Sequence, residues 1–375
     1  MPELPLLRLA GAARDIGEAH GRAAADRIAW NLEVYFRRFA VEALLPRDEV
    51  LGRTTGYWAA VVRQSAEFAA MIEGIAEGAR QPLLEVAALN LRYELFYTEF
   101  SRIAQATRGS VRTPAGECTA FAVMPGAAAD GHLRLGQNWD WFPDVAGLLL
   151  HVTRPDGLRV LCFTEAGIAG GKIGLNSAGV GLVFNGLLST EDDWSRLGRP
   201  LHLRTWEVLC SATLEDAVRT ATRGDRSCSA NFVIGQAGDP GAGAAVNLET
   251  APGAVSAEPL EGSVYAHANH FLHADRLGVQ QPIDEERRST YHRCARMDHL
   301  LQRAAADAPV TRETLQAILR DHDERPDSIC RHPSPALPEG ERYQTVVSAI
   351  MDLHAGRMHV AAGSPCEAAY QEYQV

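Results

Sequence analysis

The hydrophobic pattern of the sequence changes near residue 118, and this change constrains the fold more than any other feature. Before it, apolar residues recur at helical spacing in Ala13–Arg38, Glu49–Arg80 and Leu83–Ile103. After it, short alternating runs bounded by Gly, Pro and Asp predict strands and hairpins, with helices inserted between them. Helices followed by mostly antiparallel strands indicate an α+β protein, or a layered αββα sandwich, and not a parallel βαβ array.

The second half of the chain supplies most of the predicted strands. They fall at Thr119–Met124, Leu133–Asn138, Leu148–Thr153, Leu158–Phe163, Val180–Phe184, Ala230–Ile234, Ala244–Leu248, Val264–Ala268, Thr345–Leu353 and Met358–Ala362. The helices predicted among them are Leu201–Cys210, Leu214–Ala221, Glu285–Ala305 and Arg312–Asp321. The polar stretch Thr107–Glu117 is typical of an exposed loop. Because no internal repeat or long linker is visible, we expect one domain in two segments that meet at Cys118.

Charge and cysteine content exclude several classes of function. The formal net charge of −11 argues against binding to a nucleic-acid backbone, which requires a basic surface. No run of about eighteen apolar residues occurs, and no secretory signal is visible at the start, so we expect a cytoplasmic protein without a membrane partner. The seven cysteines are scattered and contain no CxxC pair, which argues against zinc ribbons and for free thiols.

The sequence lacks the common hydrolase and nucleotide-binding motifs, and it contains one cluster of three histidines. The sequence has no G-x-S-x-G, no P-loop and no G-x-G-x-x-G. His267, His270 and His273 have the spacing that would bring them to one face of a helix, so a metal-dependent hydrolase is one alternative. The segment instead has the pattern of a strand running into a loop, which would send these side chains to opposite faces.

Cys118 lies where the polar loop meets a predicted strand, in the run AGECTAFAVM. A chain cut just before it would leave a cysteine with a free α-amine at the start of a strand. Nucleophile and base would then be in one residue, because an α-amine with a pKa of about 8 can accept the thiol proton. The position alone also suits an ordinary buried cysteine.

The run CTAFAVMPGAAADGHLRLGQNWDW, from Cys118 to Trp141, resembles the acyl-coenzyme A:6-aminopenicillanic acid acyltransferase family. This family consists of self-cleaving cysteine enzymes of the N-terminal-nucleophile hydrolase superfamily. Further segments match it in the same order: Ile16–Gly21, Gly74–Gly78, Leu89–Arg92, Thr164–Gly167, Gly174–Gly179, His267–His270, Ser328–Arg331 and Arg342–Thr345. The resemblance implies the four-layer αββα fold with two stacked antiparallel sheets.

The resemblance also implies roles for individual residues. Cys118 matches the nucleophile, Asp140 the active-site aspartate and Asn269 the asparagine that helps to hold the oxyanion. Arg342 matches an active-site arginine, and Arg331 a second arginine near the substrate pocket. Neither a metal nor an organic cofactor is implied.

Self-processing is implied at the peptide bond between Glu117 and Cys118. It would divide the chain into a helical fragment, 1–117, and a nucleophile-bearing fragment, 118–375, which stay together as one domain. Two departures separate this chain from the penicillin enzyme: Glu117 replaces a glycine, and Ala120 replaces a hydroxyl residue. Both weaken any assignment of that enzyme's own substrate.

The function that follows is a self-processing amidohydrolase, which cleaves a linear amide through an acyl-cysteine. The first alternative is an acyltransferase that moves an acyl group from an acyl-coenzyme A or an amide to an amine. The second is a non-catalytic descendant that binds a small amide ligand, against which the set Cys118, Asp140 and Asn269 argues.

Overall fold

The structure, a computed structural model, describes residues 4–107, 117–282, 289–338 and 342–375. The helices are α1 Ala13–Ala23, α2 Ala25–Glu42, α3 Arg47–Gln64, α4 Ala66–Ala79, α5 Leu83–Asn90, α6 Arg92–Ala106, α7 Leu201–Leu209, α8 Leu214–Thr222, α9 Ala274–Leu277, α10 Ser289–Asp307 and α11 Arg312–Leu319. The strands are β1 Leu6–Ala10, β2 Glu117–Val123, β3 Arg134–Trp141, β4 Gly147–Thr153, β5 Arg159–Glu165, β6 Ile173–Asn176, β7 Val180–Gly186, β8 Ala230–Ala237, β9 Gly243–Ala251, β10 Ala254–Pro259, β11 Val264–His267, β12 Gln344–Asp352, β13 Arg357–Ala362 and β14 Tyr370–Gln374.

Two sheets stack face to face and form the centre of the molecule. The larger has the strand order β1-β4-β5-β6-β7-β8-β9-β10, and the smaller has the order β11-β2-β3-β12-β13-β14. Neighbouring strands are antiparallel except for β1 and β4. Strands β2 and β3 contact β7 across the interface, while α7 and α8 pack on the large sheet and α10 and α11 on the small one. The predicted αββα sandwich of an α+β protein is therefore confirmed.

Three long helices predicted from the first hundred residues are each divided in two. The breaks fall at Ala24, Ser65 and Leu91. Ser65 leaves helical geometry and its hydroxyl accepts a hydrogen bond from the Phe68 amide, which caps the start of α4. The helical spacing of apolar residues continues across such a break, because both helices bury their apolar residues, so the sequence pattern does not reveal it. The predicted loop Thr107–Glu117 lies almost entirely outside the described residues, as does the predicted helix start at Glu285.

Helices α1 and α4 pack with their backbones in close contact. A Cβ atom added at Gly17 would lie 2.1 Å from the Met71 carbonyl oxygen, and one at Gly74 would lie 2.3 Å from that of Arg14. Only glycine allows this approach. The glycine-spaced segments Ile16–Gly21 and Gly74–Gly78 thus form one helix crossing.

The hydrophobic core joins the chain before Cys118 to the chain after it. One continuous cluster contains Tyr35 and Phe96 from the helices together with Trp141, Leu150 and Phe184 from the sheets. Strand β1, which was not predicted from the sequence, also adds an edge to the large sheet beside β4. Burial of this shared apolar surface favours association of the two parts.

Candidate active site

Cys118 is the second residue of β2, at a point where this strand loses a neighbour. On one side it lies opposite Trp139 of β3. On the other side β11 ends at His267, opposite Ala120, so that continuing the register would place Asn269 opposite Cys118. There the Asn269 side chain replaces a strand backbone: the Cys118 amide nitrogen donates to Asn269 Oδ1 at 2.7 Å.

Asn269 is held from several directions. Its side-chain Nδ2 donates to the Gly186 carbonyl at 3.1 Å, and its backbone nitrogen donates to Thr290 Oγ1 at 2.6 Å. The structure therefore brings Asn269 to Cys118, as the sequence indicates, with the amide oxygen facing the Cys118 nitrogen. Donation from Asn269 Nδ2 to an oxyanion stays a prediction. It would require Nδ2 to give up its hydrogen bond to the Gly186 carbonyl, or to share it with the oxyanion.

Arg293 is a buried cation in contact with Cys118. Its Nη1 donates to the Cys118 carbonyl at 2.7 Å and to Thr119 Oγ1 at 2.8 Å, and its Nη2 donates to Asn269 Oδ1 at 3.0 Å. The side chain is fully buried. Arg293 was not predicted from the sequence, although a signal exists: it lies on the apolar stripe of α10 with Thr290, Cys294, Met297 and Leu301. An arginine on the buried face of an amphipathic helix indicates a specific partner.

Asn185, on β7 of the opposite sheet, also contacts Cys118. Its Nδ2 donates to the Cys118 carbonyl at 3.2 Å, and the side chain is buried. Cys118 thus lies at the interface of the two sheets, with its carbonyl held by both Arg293 and Asn185. The sequence signal for Asn185 was a single amide in the apolar strand Val180–Gly186.

Asp140 is completely buried at the end of β3. Its Oδ1 accepts a hydrogen bond from Thr345 Oγ1 at 2.7 Å, while its Oδ2 has no hydrogen-bond partner among the residues that the structure describes. Burial raises the pKa of Asp140 to about 8, against the opposing effects of Arg293 and of the Thr345 hydrogen bond. The carboxyl group is therefore largely protonated at neutral pH.

The Cys118 thiol is also buried and neutral in the intact chain. Desolvation raises the pKa of Cys118 to about 12, and the charge of Asp140 adds to this shift. Arg293 and the Asp140 backbone N–H act in the opposite direction. Because the thiolate is the nucleophilic form, the intact chain keeps this cysteine in its less reactive state.

The two arginines proposed from the sequence lie in different surroundings. Arg331 is buried, its guanidinium pairs with Asp327, and its backbone nitrogen donates to Thr345 Oγ1 at 3.0 Å. Arg331 thus helps to position Thr345, which donates a hydrogen bond to Asp140. Arg342 is only partly buried, and it donates to the carbonyls of Leu337 at 2.8 Å and Pro335 at 3.2 Å. In the described residues, Arg293 and not Arg342 contacts Cys118.

A second buried polar group lies beside the site, between the helices and the sheets. Glu165 pairs with Lys172 and with Arg92, and Lys172 Nζ lies 3.4 Å from the centre of the Trp139 ring. Burial lowers the pKa of Lys172 to about 7, although the Glu165 carboxylate opposes this shift. Trp139 is the strand partner of Cys118, so this network contacts the residue opposite Cys118.

His267, His270 and His273 each have their own partner. His267 Nε2 lies 2.9 Å from Glu249 Oε1, His270 Nδ1 lies 2.9 Å from Thr290 Oγ1, and His273 Nε2 lies 2.8 Å from Glu258 Oε2. Within the described ranges their ring nitrogens do not converge on a common point. The segment is the predicted end of a strand followed by a loop. The described structure therefore does not bring these three histidines together as ligands of one ion, and it gives no support to the metal-dependent alternative.

Comparisons with known proteins agree with the resemblance seen in the sequence. The family model of acyl-coenzyme A:6-aminopenicillanic acid acyl-transferase matches residues 127–367. The 40 kDa form of acyl-coenzyme A:6-aminopenicillanic-acid-acyltransferase from Emericella nidulans is 30% identical over 296 residues, which cover 76% of this chain and 71% of the relative.

Solved structures show a more distant similarity. A Caenorhabditis elegans ortholog of N-acylethanolamine-hydrolyzing acid amidase aligns with a TM-score of 0.44 at 15% identity, over 63% of this chain and 93% of its own. A mutant of conjugated bile acid hydrolase from Clostridium perfringens also has a TM-score of 0.44, at 11% identity over 65% of this chain and 89% of its own. In the described part of the chain, none of the helices combines the length and apolar character that crossing a bilayer requires.

The family match spans most of the chain, and the sequence relative is similar over most of its own length. On both grounds the chain belongs to the acyl-coenzyme A:6-aminopenicillanic acid acyltransferase family.

Proposed function

We propose that this protein is a self-processing cysteine amidohydrolase that cleaves a linear, non-peptide amide through an acyl-cysteine on Cys118. The observation that carries the proposal is the 2.7 Å hydrogen bond from the Cys118 nitrogen to Asn269 Oδ1. This nitrogen would become the α-amine after cleavage, and a fixed acceptor would orient it. An amine so held can take the proton of its own thiol.

Self-processing would begin with attack of Cys118 Sγ on the Glu117 carbonyl carbon. The Glu117–Cys118 C–N bond breaks as the acyl group moves to sulfur, and the nitrogen gains a proton. Water then hydrolyses the thioester, which leaves the Glu117 carboxylate and a free Cys118 thiol and amine. The fragments 1–117 and 118–375 would remain a heterodimer, because one apolar core contains side chains from both.

Catalysis on a substrate would repeat this attack at an amide carbonyl. The α-amine takes the thiol proton, the thiolate forms a tetrahedral intermediate, and the substrate amine departs with a proton. Asn269 and Asn185 are side-chain amides in contact with the reacting residue that can donate to the oxyanion. Preorganised donors of this kind contribute about 3–4 kcal/mol each in studied enzymes.

Arg293 and Asp140 would act from two sides of the cysteine. Arg293 favours negative charge at the site through its contacts with the Cys118 carbonyl and Asn269. Asp140, whose raised pKa keeps it largely protonated near neutrality, can supply a proton to the leaving nitrogen. Arg331 would support substrate binding through the Thr345 segment, whereas a catalytic role for Arg342 is supported by the family resemblance alone.

Acyl transfer is the second candidate, and the Emericella relative favours it because its name gives it that activity. The same acyl-cysteine would be loaded from an acyl-coenzyme A or an amide, and an amine would take the place of water. The partition depends on how far the site excludes water from the acyl-enzyme. Seven free cysteines suit a reducing, cytoplasmic setting, which would also keep the nucleophile reduced.

Intact-mass spectrometry tests the proposal directly. Purified protein should separate into two fragments cut between Glu117 and Cys118, and the Cys118→Ala variant should remain one chain. Incubation with candidate amides and acyl thioesters should add an acyl mass to fragment 118–375, which water or an added amine then removes. A full-length wild-type chain that still turns over an amide would exclude the α-amine mechanism, and a processed chain that no substrate acylates would favour the non-catalytic alternative.

A further inference from the structure

Two cysteines and two histidines meet on the outer side of the small sheet, away from the contacts of Cys118. His322 follows helix α11, Cys330 and His332 lie in the segment before β12, and Cys366 follows β13. Their four ligand atoms all lie within 4.8 Å of one another. The chain therefore brings three separate segments together at four side chains that metals bind.

Four of the six ligand-to-ligand distances within this cluster, named here the Cys2His2 cluster, are within about 0.4 Å of those around a tetrahedral ion, and the two from His322 to the sulfurs are no longer than 4.8 Å. Cys330 Sγ lies 3.5 Å from Cys366 Sγ and 3.6 Å from His332 Nε2. His332 Nε2 lies 3.2 Å from both Cys366 Sγ and His322 Nε2. A tetrahedral zinc ion with ordinary bond lengths separates two sulfurs by about 3.8 Å, a sulfur and a nitrogen by about 3.6 Å, and two nitrogens by about 3.3 Å.

The surroundings of the cluster complete the chemistry of a metal site. His332 directs Nε2 to the other ligands and Nδ1 to the Glu367 carboxylate at 3.5 Å. A carboxylate on the second ring nitrogen is the usual support for a metal-bound histidine. Cys330 and His332 are buried, whereas His322 and Cys366 are exposed, which leaves a path for an ion to enter.

We propose that the Cys2His2 cluster is a structural zinc site. Two cysteines and two histidines whose ligand atoms lie within 4.8 Å of one another are a donor set that zinc prefers, and four protein ligands leave no open position for a substrate. No CxxC pair reveals the site in the sequence, because its ligands come from three segments spread over residues 322–366.

The proposed ion would hold the segment that supports Asp140. Arg331 lies between the ligands Cys330 and His332, and its backbone exchanges hydrogen bonds with Thr345: its nitrogen donates to Oγ1 at 3.0 Å and its carbonyl accepts from the Thr345 nitrogen at 3.1 Å. Thr345 Oγ1 in turn donates to Asp140. Zinc would thus fix the hydrogen-bonded path from the edge of the small sheet to the candidate active site, as a positioning element and not a catalytic one.

Metal analysis of the full chain tests the site without relying on the proposed function. Protein produced with zinc and purified under reducing conditions should hold about one zinc ion per chain. The cobalt-substituted protein should show a thiolate-to-cobalt charge-transfer band and the intense visible bands of tetrahedral cobalt. The variants Cys366→Ser and His322→Asn, at the two exposed ligands, should each lower the zinc affinity at least about 10-fold. Cys210→Ser, which changes a thiol outside the cluster, should keep the zinc.

Thermal unfolding gives a second readout in the uncleaved Cys118→Ala background. A chelator should lower the Tm of this protein and leave that of its Cys366→Ser derivative unchanged. Zinc-free protein after reconstitution, or zinc retained by both ligand variants, would overturn the proposal. So would a Cys330–Cys366 disulfide in protein kept reduced, seen by peptide mapping as the loss of both thiol hydrogens.

Discussion

The main-chain nitrogen of Cys118 donates a 2.7 Å hydrogen bond to the side-chain oxygen of Asn269. The same oxygen accepts from Arg293 Nη2 at 3.0 Å, so that a buried cation fixes the acceptor. In an ordinary strand a backbone carbonyl would take this place. Because β11 stops at His267, the nitrogen is free of the sheet ladder on that side, and its conversion to an amine would break no ladder hydrogen bond to β11.

Two substitutions at Asn269 separate the acceptor role from the oxyanion role. Asn269→Ala removes both functions and should lower kcat by about 10²–10³, with the fold preserved. Asn269→Asp keeps an oxygen for the Cys118 nitrogen but has no N–H donor, so it should retain self-cleavage and lose turnover. Fragment analysis and steady-state kinetics measure the two outcomes. A loss below about threefold in both folded variants would leave Asn269 with a structural role only.

Arg293 and Arg342 form a matched pair for testing which cation serves the site. Arg293→Lys keeps the charge but cannot reach the Cys118 carbonyl, Thr119 and Asn269 together, so we expect self-cleavage and turnover to fall by about 10²-fold. Arg342→Lys should change both little, because its hydrogen bonds go to the carbonyls of Leu337 and Pro335 and not to Cys118 or Asn269. Rates of fragment formation and kcat/KM decide between them. The reverse ranking of the two variants would support the active-site role that the family resemblance implies for Arg342.

The fold and part of the site could be predicted from the sequence, and the residues that were missed have a common cause. Cys118, Asp140 and Asn269 lie in continuous segments that resemble the family's motifs, so the resemblance identified each as a candidate. Arg293, Asn185 and the Cys2His2 cluster come together only through the packing of helix on sheet and sheet on sheet. Strand β1 was not predicted because a strand of five residues shows little hydrophobic periodicity. The breaks between the helices were not predicted because packing requires them and the hydrophobic pattern does not show them.

Burial of Asp140 predicts a pH dependence of stability. A carboxyl group has a pKa of about 3.9 in the unfolded chain, whereas Asp140 in the fold has one of about 8. Between these values the folded chain holds a proton that the unfolded chain has lost, so this contribution is full below pH about 4 and is lost as pH rises through about 8.

Denaturant unfolding at several pH values measures this effect in the uncleaved Cys118→Ala protein. Adding Asp140→Asn should flatten the fall in unfolding free energy across the same range, because the amide does not titrate. Adding Asp239→Asn, at an exposed aspartate, should leave the profile unchanged. Parallel profiles for the parent and its Asp140→Asn derivative would contradict the raised pKa.

Thiol reactivity should change when the chain is cut. In the intact chain Cys118 is buried with a raised pKa, and of the seven cysteines, all within the described ranges, Cys366 alone is exposed. A sub-stoichiometric thiol reagent should therefore spare Cys118 in uncleaved protein and label Cys366 once zinc has been removed. After self-cleavage the α-amine of Cys118 promotes its thiolate, and Cys118 should take the label first, with activity lost in proportion. Peptide mapping identifies the labelled residue, and Cys162, buried within β5, should react slowly in both states.

Loss of activity in processed protein while Cys118 stays unlabelled would contradict its assignment as the nucleophile.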